Sequence, residues 1–471
     1  MVNWDTEVSY TMGDMPPGPR LARLPGEMQQ ISGKTRAEIT AMADKDASSQ
    51  GKDQFSRRGF LQRASVAAVA AGTLAGASGR AMAGPNGRLG VGVIGTGARG
   101  NSHLQALKHI QKSDKTIEIV AVCDTYRPRM DRAAKGYDVK GYMDHRELLA
   151  DPAVDAVCIA TPDHLHGYQA IDAVRAKKHV FCEKPVTHWR QFALTKQLAQ
   201  EVKASGMTFQ LGTQGMSDSA WHQIAQLVRE GLIGQPIHAE CGYFRVGDWG
   251  ERGMPIDDPN AQPGPDLNWE AFLGDSPKRD FDVSRYFRWR MYEDYAGGPC
   301  TDLFPHVLTP VAAMMGAKLP SVAVATGGKF RYEEREVPDT FNMLVDYPEN
   351  FTIAVLGTQG NDYQATENRG SASRVPVIRG WDGALTVQGN DIVFYPAHGS
   401  EKKEHRIPIE RGENLLHHFQ NFIACCQAGS QDTFSPMDLA YHVQTALIMA
   451  YCSLREGKAV RFDLEKEEMV L

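Results

Sequence analysis

Between residue 84 and about residue 212, short runs of consecutive apolar residues alternate with stretches in which apolar positions recur every three to four residues. A short continuous apolar run is typical of a strand in a parallel sheet covered on both faces, and the intervening period is typical of a helix. This alternation predicts an α/β domain built on a parallel sheet. The predicted strands are residues 89–94, 117–123, 156–160, 179–182 and 207–211.

The pattern changes after residue 212. Several segments there alternate between apolar and polar positions, which is typical of strands with one buried and one solvated face. Residues 436–455 follow with helical periodicity, and residues 459–462 form a last predicted strand. The other predicted strands of this half are residues 236–247, 320–332, 340–347, 351–358, 375–379 and 384–395.

Residues 1–83 show neither pattern. Residues 1–55 are polar and rich in Gly, Pro, Ser and charged side chains, with no sustained periodicity. A segment of this composition cannot bury enough apolar surface to form a core. We therefore predict that residues 1–83 are a disordered leader.

The end of the leader carries the features of an export signal. Arg57 and Arg58 precede an Ala- and Gly-rich run over residues 64–77, and residues 81–83 offer a small-x-small cleavage site. Because the run is too short to span a bilayer, we predict a signal for the twin-arginine (Tat) export machinery and no stable membrane anchor. The mature chain would begin near Gly84 and be periplasmic or otherwise exported. An accidental arginine pair before an Ala-rich helix is the alternative.

The composition fits a soluble enzyme, with 42% hydrophobic and 23% charged residues. The formal net charge of −6 argues against a nucleic-acid partner. Among the eight cysteines, Cys123, Cys158 and Cys182 lie near the ends of predicted buried strands, where cysteine packs as a small hydrophobic residue. No Cys or His spacing resembles a zinc site, and we predict neither a disulfide framework nor a structural metal.

A glycine-rich turn follows the first predicted strand and opens a helix. A glycine at its first position allows the tight turn, the second lets the backbone approach a pyrophosphate, and the third lets the helix pack on the strand. The helix N-terminus then offers free N–H groups and the positive end of its dipole to phosphates. The cofactor-binding residues of this turn are Gly95, Thr96, Gly97, Ala98, Arg99 and Gly100.

Asp124 ends the second predicted strand. A carboxylate at this position can accept hydrogen bonds from both ribose hydroxyls of an adenine nucleotide, and it repels a 2′-phosphate. The pattern therefore favours NAD. Arg127 and Arg129 follow closely and could hold a 2′-phosphate instead, so NADP stays possible. Since free dinucleotide is scarce in the periplasm, we expect the cofactor to be tightly bound.

Four further segments carry a family resemblance. In parallel sheets, ligands gather at the carboxyl ends of strands, where Thr161 and Lys184 are predicted to lie beside Asp124. Together with the glycine-rich turn, these segments resemble the Gfo/Idh/MocA oxidoreductase family over about Leu89 to Val460. The segments are Thr161-Pro162-x-x-x-His166, Glu183-Lys184-Pro185, the run 268–274, and the run 295–306 containing Asp302 and His306.

The resemblance implies a two-domain fold and an assembly. The fold would be an α/β Rossmann domain over residues 84–212, joined to an α+β domain with a large, mostly antiparallel open sheet over residues 213–471. That sheet would form the interface of a homo-oligomer, and the active site would lie between the domains.

The chemistry of alcohol oxidation suggests roles for three residues. A histidine near its ordinary pKa can take the hydroxyl proton, and His306 is the candidate base. Lys184 can stabilise the developing alkoxide, and the resemblance also gives it a part in proton transfer. Asp302, one helical turn before His306, could orient Lys184 or the substrate.

Other residues have competing interpretations. The resemblance places Thr161, His164, Glu183 and Lys184 at the cofactor, although His164 and Glu183 could instead have local structural roles. An aromatic and arginine-rich stretch could form a sugar platform or an ordinary domain interface. It contains Trp289, Arg290, Tyr292 and Tyr295.

The expected function is transfer of hydride between a nicotinamide cofactor and a secondary hydroxyl of a sugar, glycoside or related polyol. Exported glucose-fructose oxidoreductase is the type of family member that the leader suggests. An NAD-dependent glycosidase acting through transient oxidation and elimination is the alternative, and a non-catalytic ligand sensor is a third. Phe304 and Thr309-Pro310 depart from the usual family pattern, so the substrate of no single family member can be transferred to this chain.

Overall fold

The apolar runs of the first half form a six-stranded parallel sheet. In the computed structural model, which describes residues 87–246, 254–372 and 374–470, its strand order is β3-β2-β1-β4-β5-β6. All neighbouring strands are parallel. The strand order reverses between β1 and β4, where ligands of such sheets bind. The strands are β1 (Leu89–Ile94), β2 (Ile117–Cys123), β3 (Lys140–Tyr142), β4 (Ala156–Ile159), β5 (His179–Cys182) and β6 (Phe209–Leu211).

Helices cover both faces of this sheet. The first two helices pack on one face with Leu104, Leu107 and Ala133. The next three pack on the other face with Leu148, Ala170 and Leu198 among others. These helices are α1 (Ala98–Ser113), α2 (Arg127–Tyr137), α3 (His145–Ala150), α4 (Asp163–Arg175) and α5 (Phe192–Ser205).

The second half forms a ten-stranded sheet in the order β14-β13-β12-β11-β7-β10-β9-β8-β15-β16. Only its β7–β10 pair is parallel, so the prediction of a mostly antiparallel sheet is confirmed. Its strands are β7 (Pro236–Phe244), β8 (Val322–Gly328), β9 (Thr340–Tyr347), β10 (Phe351–Thr358), β11 (Arg374–Gly380), β12 (Gly383–Gln388), β13 (Asp391–Pro396), β14 (His405–Pro408), β15 (Val460–Asp463) and β16 (Glu468–Val470).

The helices that carry Trp221, Phe304 and Leu447 pack on one face of the ten-stranded sheet and form a core with it. The last two helices of the chain reach the first sheet, as described below. The helices are α6 (Ser219–Arg229), α7 (Trp269–Leu273), α8 (Val283–Phe287), α9 (Pro299–Asp302), α10 (Phe304–Met315), α11 (Leu415–Ala428) and α12 (Met437–Glu456).

The structure corrects the prediction of one long strand over residues 384–395. Those residues form the hairpin β12–β13, because Gly389 adopts a φ of 57° in the two-residue turn. Glycine at a positive φ is typical of such turns. The short edge strand β3 was also not predicted, since it holds no apolar run.

Helix α11 lies far along the chain but packs on the first sheet. Its Phe419 ring stacks on Phe181 of β5 at 4.4 Å between centroids, and Phe422 meets the same ring edge-on at 5.7 Å. Helix α12 contributes Met437 and Tyr441 to the opposite face. The two halves of the chain therefore share hydrophobic cores.

All eight cysteines are free, and seven are buried, as their predicted hydrophobic packing requires. No helix within the described ranges combines the length and hydrophobicity that crossing a membrane requires. The predicted export signal lies before residue 87, outside the described residues.

Candidate active site

A cavity of about 1290 Å³ lies at the carboxyl ends of β1, β2, β4 and β5. Residues of the second half form its other walls. The cavity is continuous from the glycine-rich turn to the predicted catalytic residues. Of the predicted site residues, those on its surface are Gly95, Gly97, Ala98, Arg99, Asp124, Thr161, Glu183, Lys184, Asp302 and His306.

The glycine-rich turn has the geometry that the sequence predicts. Gly95 adopts a φ of +87°, and a methyl group built on Gly100 would lie 1.8 Å from the Gly95 carbonyl oxygen. Gly97 faces the cavity and precedes α1, whose first turn carries no acidic residue and no side-chain cap. The free N–H groups of the helix can therefore donate hydrogen bonds to phosphate oxygens. This cradle fits a dinucleotide.

Asp124 lies at the ribose end of the cradle. Its Oδ2 accepts hydrogen bonds from Thr96 N at 2.8 Å and Thr96 Oγ1 at 3.1 Å, and its Oδ1 accepts from Tyr126 N at 2.9 Å. Thr96 thus contacts Asp124 and does not itself line the cavity. The carboxylate is held in place with one face toward the cavity.

The Thr161–His166 segment divides its side chains between the cavity and the protein interior. Thr161 Oγ1 donates to Gln169 Oε1 at 2.7 Å, and His166 lies 2.7 Å from Pro185 O and 2.8 Å from Thr161 O. His166 therefore links the ends of β4 and β5. His164 does not line the cavity, because its buried ring lies behind the wall, with Nε2 2.6 Å from Phe272 O.

Glu183 is buried and connects the glycine-rich turn to the end of β5. Its Oε1 accepts from Arg99 Nε at 2.6 Å and lies 2.8 Å from His103 Nε2. Burial alone would raise the pKa of Glu183, but Arg99, His103 and Lys184 hold it well below its usual range. Glu183 is therefore a fixed negative charge beneath Lys184.

Lys184 and Asp302 form an ion pair across the two halves. Lys184 Nζ donates to Asp302 Oδ1 at 2.7 Å and to Asp302 O at 2.8 Å. Arg245 and Arg290 also contact this carboxylate, each at 3.3 Å. Burial opposes ionisation of Asp302, yet Lys184, Arg290 and Arg245 hold its pKa well below the usual range. The peptide between Lys184 and Pro185 is cis.

His306 lies on the cavity wall in the first turn of α10, and Asp302 ends α9 one turn earlier. Its Nδ1 is buried without a hydrogen-bond partner among the described residues. Burial lowers the pKa of His306 to about 3, and nearby Lys184 contributes to the lowering. The ring is therefore neutral at physiological pH and has a nitrogen lone pair free, although a pKa this low makes it a weak base.

Sequence reasoning missed Asp163 and Arg245. Asp163 is 2% exposed and accepts a hydrogen bond from Thr301 Oγ1 at 3.1 Å. Burial raises its pKa to about 7, against the opposing effects of Arg290 and Lys184. Arg245 follows the carboxyl end of β7. A search for charged residues just after the predicted strands would have found Asp163, whereas Arg245 lay inside the predicted strand over residues 236–247.

The structure divides the aromatic and arginine-rich stretch between the cavity and the protein interior. Trp289 and Arg290 line the cavity, with the Arg290 guanidinium 4.3 Å from the centre of the indole ring. Tyr295 is buried against His164 and Phe272. Tyr292 lies away from the cavity, with its hydroxyl donating to Ser284 Oγ at 2.8 Å. Trp289 is thus the platform residue that a substrate could reach.

A segment of the second half, residues 254–268, lies against the ribose end of the first. Asn268 N donates to Thr125 O at 2.9 Å, and Arg127 N donates to Asp266 O at 2.8 Å. Asp257 in this segment pairs with Arg129 of α2 through two hydrogen bonds of 2.6 and 3.0 Å. Both residues of that pair line the cavity.

Two family models cover most of the described chain. The model described as "Oxidoreductase family, NAD-binding Rossmann fold" matches residues 89–213, and the one described as "Oxidoreductase family, C-terminal alpha/beta domain" matches residues 217–362. The chain belongs to the Gfo/Idh/MocA oxidoreductase family. It is therefore an NAD-binding oxidoreductase, and the family resemblance stated from its motifs is confirmed.

Three curated relatives illustrate the similarity. The chain is 28% identical to the uncharacterized oxidoreductase YrbE of Bacillus subtilis over 57% of this chain and 72% of that protein. It is 31% identical to the myo-inositol 2-dehydrogenase of Thermotoga maritima over 43% of this chain and 56% of that enzyme. It is 30% identical to the alpha-N-acetylgalactosaminidase of Shewanella oneidensis over 34% of this chain and 36% of that enzyme. The chain thus spans about half or less of the two named enzymes.

Among solved structures, levoglucosan dehydrogenase in complex with NADH and levoglucosan has a TM-score of 0.59. The match covers 79% of this chain and 99% of that one at 18% identity. At that identity, the likeness supports the Gfo/Idh/MocA fold of this chain. The structure offers no metal site of three or more His, Cys, Asp or Glu side chains in the part of the chain that it describes.

Proposed function

We propose that this chain is an NAD-dependent dehydrogenase that oxidises a secondary hydroxyl of a sugar, glycoside or related polyol. The observation that carries the proposal is that His306, the Lys184–Asp302 ion pair and the glycine cradle all line one cavity. An acceptor for the hydroxyl proton, a fixed cation and a dinucleotide site are the parts that this reaction requires.

Different residues act on the hydroxyl proton and on the negative charge that develops on the oxygen. Oxidation of the alcohol removes a hydride from carbon and a proton from oxygen, and bound NAD⁺ supplies the hydride acceptor. His306 takes the proton. The Lys184 ammonium, held by Asp302, donates a hydrogen bond to the same oxygen and stabilises its developing negative charge. Both side chains are held in position by the protein, so little reorganisation is required during the reaction.

The surroundings of Asp124 support NAD over NADP. Arg127 and Arg129 were the two residues that could hold a 2′-phosphate. Arg127 Nε pairs with Asp266 at 2.8 Å, and Arg129 pairs with Asp257. With both arginines paired to carboxylates, Asp124 determines the preference at the ribose.

The substrate class is supported by the relatives and by the cavity. The myo-inositol 2-dehydrogenase of Thermotoga maritima acts, by its name, on a polyol. Trp289, Arg245 and Arg290 line the cavity, with the Arg290 guanidinium over the indole ring. Aromatic faces with charged or polar neighbours suit a polyhydroxylated ring, whose C–H face is apolar and whose hydroxyls are polar.

The test is a screen of NAD⁺ reduction with inositols, aldoses and glycosides, followed by substitution of Lys184. We expect Lys184→Ala to lower kcat by about 10²- to 10⁴-fold, the scale of a lost catalytic group, while the protein retains its nucleotide. Lys135→Ala, an exposed lysine on α2, is the matched control. Full turnover by Lys184→Ala would refute the assignment.

A second candidate function is NAD-dependent glycoside cleavage. It is favoured by the alignment with the alpha-N-acetylgalactosaminidase of Shewanella oneidensis. In that reaction, oxidation, elimination and re-reduction leave the cofactor unchanged. Release of sugar from a chromogenic glycoside without accumulation of NADH would favour this reaction over the dehydrogenase.

We also propose export through the Tat pathway with a tightly bound cofactor. The support is the Arg57-Arg58 pair and the short Ala- and Gly-rich run that follows. Replacement of both arginines by lysine should keep the protein in the cytoplasm, as measured by cell fractionation. Unchanged secretion of that variant would overturn the proposal.

A further inference from the structure

We propose that the Arg129–Asp257 ion pair sets both the cofactor preference of the dinucleotide site and the rate at which the cofactor leaves. The inference rests on the NAD-dependent activity proposed above and assigns a role there to two residues outside the family motifs. Arg129 belongs to the first half and Asp257 to the second. The pair therefore connects the two halves at the ribose end of the cavity.

The first step is the position of Arg129. Its Nη1 lies 3.3 Å from where a Cβ on Gly97 would be, and Gly97 is the point at which the backbone approaches a pyrophosphate. Its guanidinium also lies 5.1 Å from the centre of the Phe287 ring. Arg129 thus lies over the cradle, next to the path of the phosphates.

The second step is the strength of the pair. Arg129 and Asp257 have side chains that are 17% and 19% exposed, and two hydrogen bonds join them. Burial raises the pKa of Asp257, but Arg129 and Arg132 together bring it below its usual value. A bidentate, charge-assisted pair of this kind is stronger than an exposed ion pair.

The third step is the tether of the segment that carries Asp257. Its far end is fixed to the end of β2 by the backbone bonds of Asn268 and Asp266 and by the bridge between Tyr126 and Leu267. Asp257, on the cavity wall, is a further attachment of this segment to the first half. Movement of the segment away from α2 requires the Arg129–Asp257 pair to separate, and we expect this requirement to slow release of a bound dinucleotide.

The same pair affects the choice of cofactor. A 2′-phosphate would meet Asp124 and Asp257, and the Arg129 guanidinium beside them is already neutralised by Asp257. Removing the charge of Asp257 leaves Arg129 available to a phosphate. Loss of the pair should therefore speed release and shift the preference toward NADP.

The experiment compares Asp257→Asn with Asp266→Asn. Asp266 also pairs with an arginine of α2, but that pair is 42% and 69% exposed and does not line the cavity. Release is followed by the loss of NADH fluorescence on adding excess NAD⁺. Preference is measured by mass spectrometry of nucleotide bound after incubation with equal NAD⁺ and NADP⁺.

For Asp257→Asn, we expect release to accelerate roughly tenfold and the bound NADP⁺ to NAD⁺ ratio to rise by a similar factor, the scale of a partly buried ion pair. Asp266→Asn should stay within about twofold of the unmodified protein, as for exposed pairs. Equal behaviour of the two variants, or an unchanged Asp257→Asn, would overturn the proposal.

A second variant guards against misfolding. Arg129→Lys keeps the charge but loses the two-pronged geometry, so an intermediate release rate is expected, and a rate equal to that of the unmodified protein would count against the pair. Neither readout requires turnover. A changed release rate in a protein that oxidises no sugar would refute the proposed dehydrogenase activity but support the role of the Arg129–Asp257 pair. Sugar oxidation with an unchanged release rate would support the activity and refute the role of the pair.

Discussion

His306 and Asp163 are buried, and burial shifts the pKa of each side chain in the direction that favours its neutral form. Burial lowers the pKa of His306 to about 3 and raises that of Asp163 to about 7. Asp302, by contrast, stays ionised beside Lys184. A charged pair and an uncharged base in adjoining positions are the arrangement that separates charge stabilisation from proton acceptance.

The contribution of His306 to catalysis should therefore not depend on pH in the neutral and mildly acidic range. We expect the ratio of kcat/KM between the unmodified protein and His306→Gln to be the same at pH 5 and pH 8, because the ring is neutral at both. A histidine with its ordinary pKa of about 6.5 would make the ratio fall roughly thirtyfold at pH 5. Taking the ratio cancels the titration of other groups.

Asp163 leads to a prediction about stability. Its pKa is raised on folding, so its ionisation destabilises the native state as pH increases from about 4 to about 7. Relative to the unmodified protein, Asp163→Asn should gain about 1–3 kcal/mol in unfolding free energy between pH 5 and pH 8. Urea unfolding at both pH values checks this. A relative stability that falls over that interval would contradict the shift.

At the scale of single elements, the close contact between α1 and the preceding turn is the tightest constraint on the cofactor cradle. Gly100→Ala would force a methyl group to within 1.8 Å of Gly95 O. We expect a loss of about 1–3 kcal/mol in stability, as for overpacking, together with loss of nucleotide binding.

Gly136→Ala is the matched control, because nothing lies within 4 Å of a Cβ at that helical position. It should gain about 0.5–1 kcal/mol, since alanine favours a helix over glycine. Thermal unfolding and nucleotide titration of both variants test the pair of predictions. Equal effects of the two substitutions would refute them.

The elements that sequence reasoning located best are those with a strong local pattern. The strand, turn and helix around Gly95 and the strand ending at Asp124 were found because apolar runs and glycines mark them. Strand β3 was missed because three residues are too few to show a periodic pattern. The hairpin at Gly389 was read as one strand because the alternation of apolar and polar positions continues through the turn. Asp257 had no local signal at all, because its partner lies more than a hundred residues away.

The ten-stranded sheet presents an open face at the scale of the whole molecule. Val324 and Leu344 are cross-strand neighbours on this face and are 41% and 46% exposed. The homo-oligomer predicted from the family resemblance would bury this face. Adjacent exposed apolar side chains on an open sheet face are consistent with such an interface.

Leu344→Glu should therefore weaken self-association, because a carboxylate would be buried in the interface. Light scattering after gel filtration should report a smaller particle than for the unmodified protein. Lys135→Glu, which places a carboxylate at an exposed position on α2 of the first half, should leave the mass unchanged. An unaltered mass for Leu344→Glu would place the interface elsewhere.

The late position of α11 in the chain affects when the core of the first half can be completed. Phe419 and Phe422 complete the core beneath β5, so the nucleotide-binding half lacks part of its interior until some two hundred later residues have been synthesised. Long-range contacts of this kind delay folding. On the ribosome, the core of the first half is completed only when α11 emerges, so we expect tight binding of the dinucleotide to follow completion of the chain. Under the proposed Tat export, a folded chain that carries its cofactor would therefore be one whose synthesis is complete.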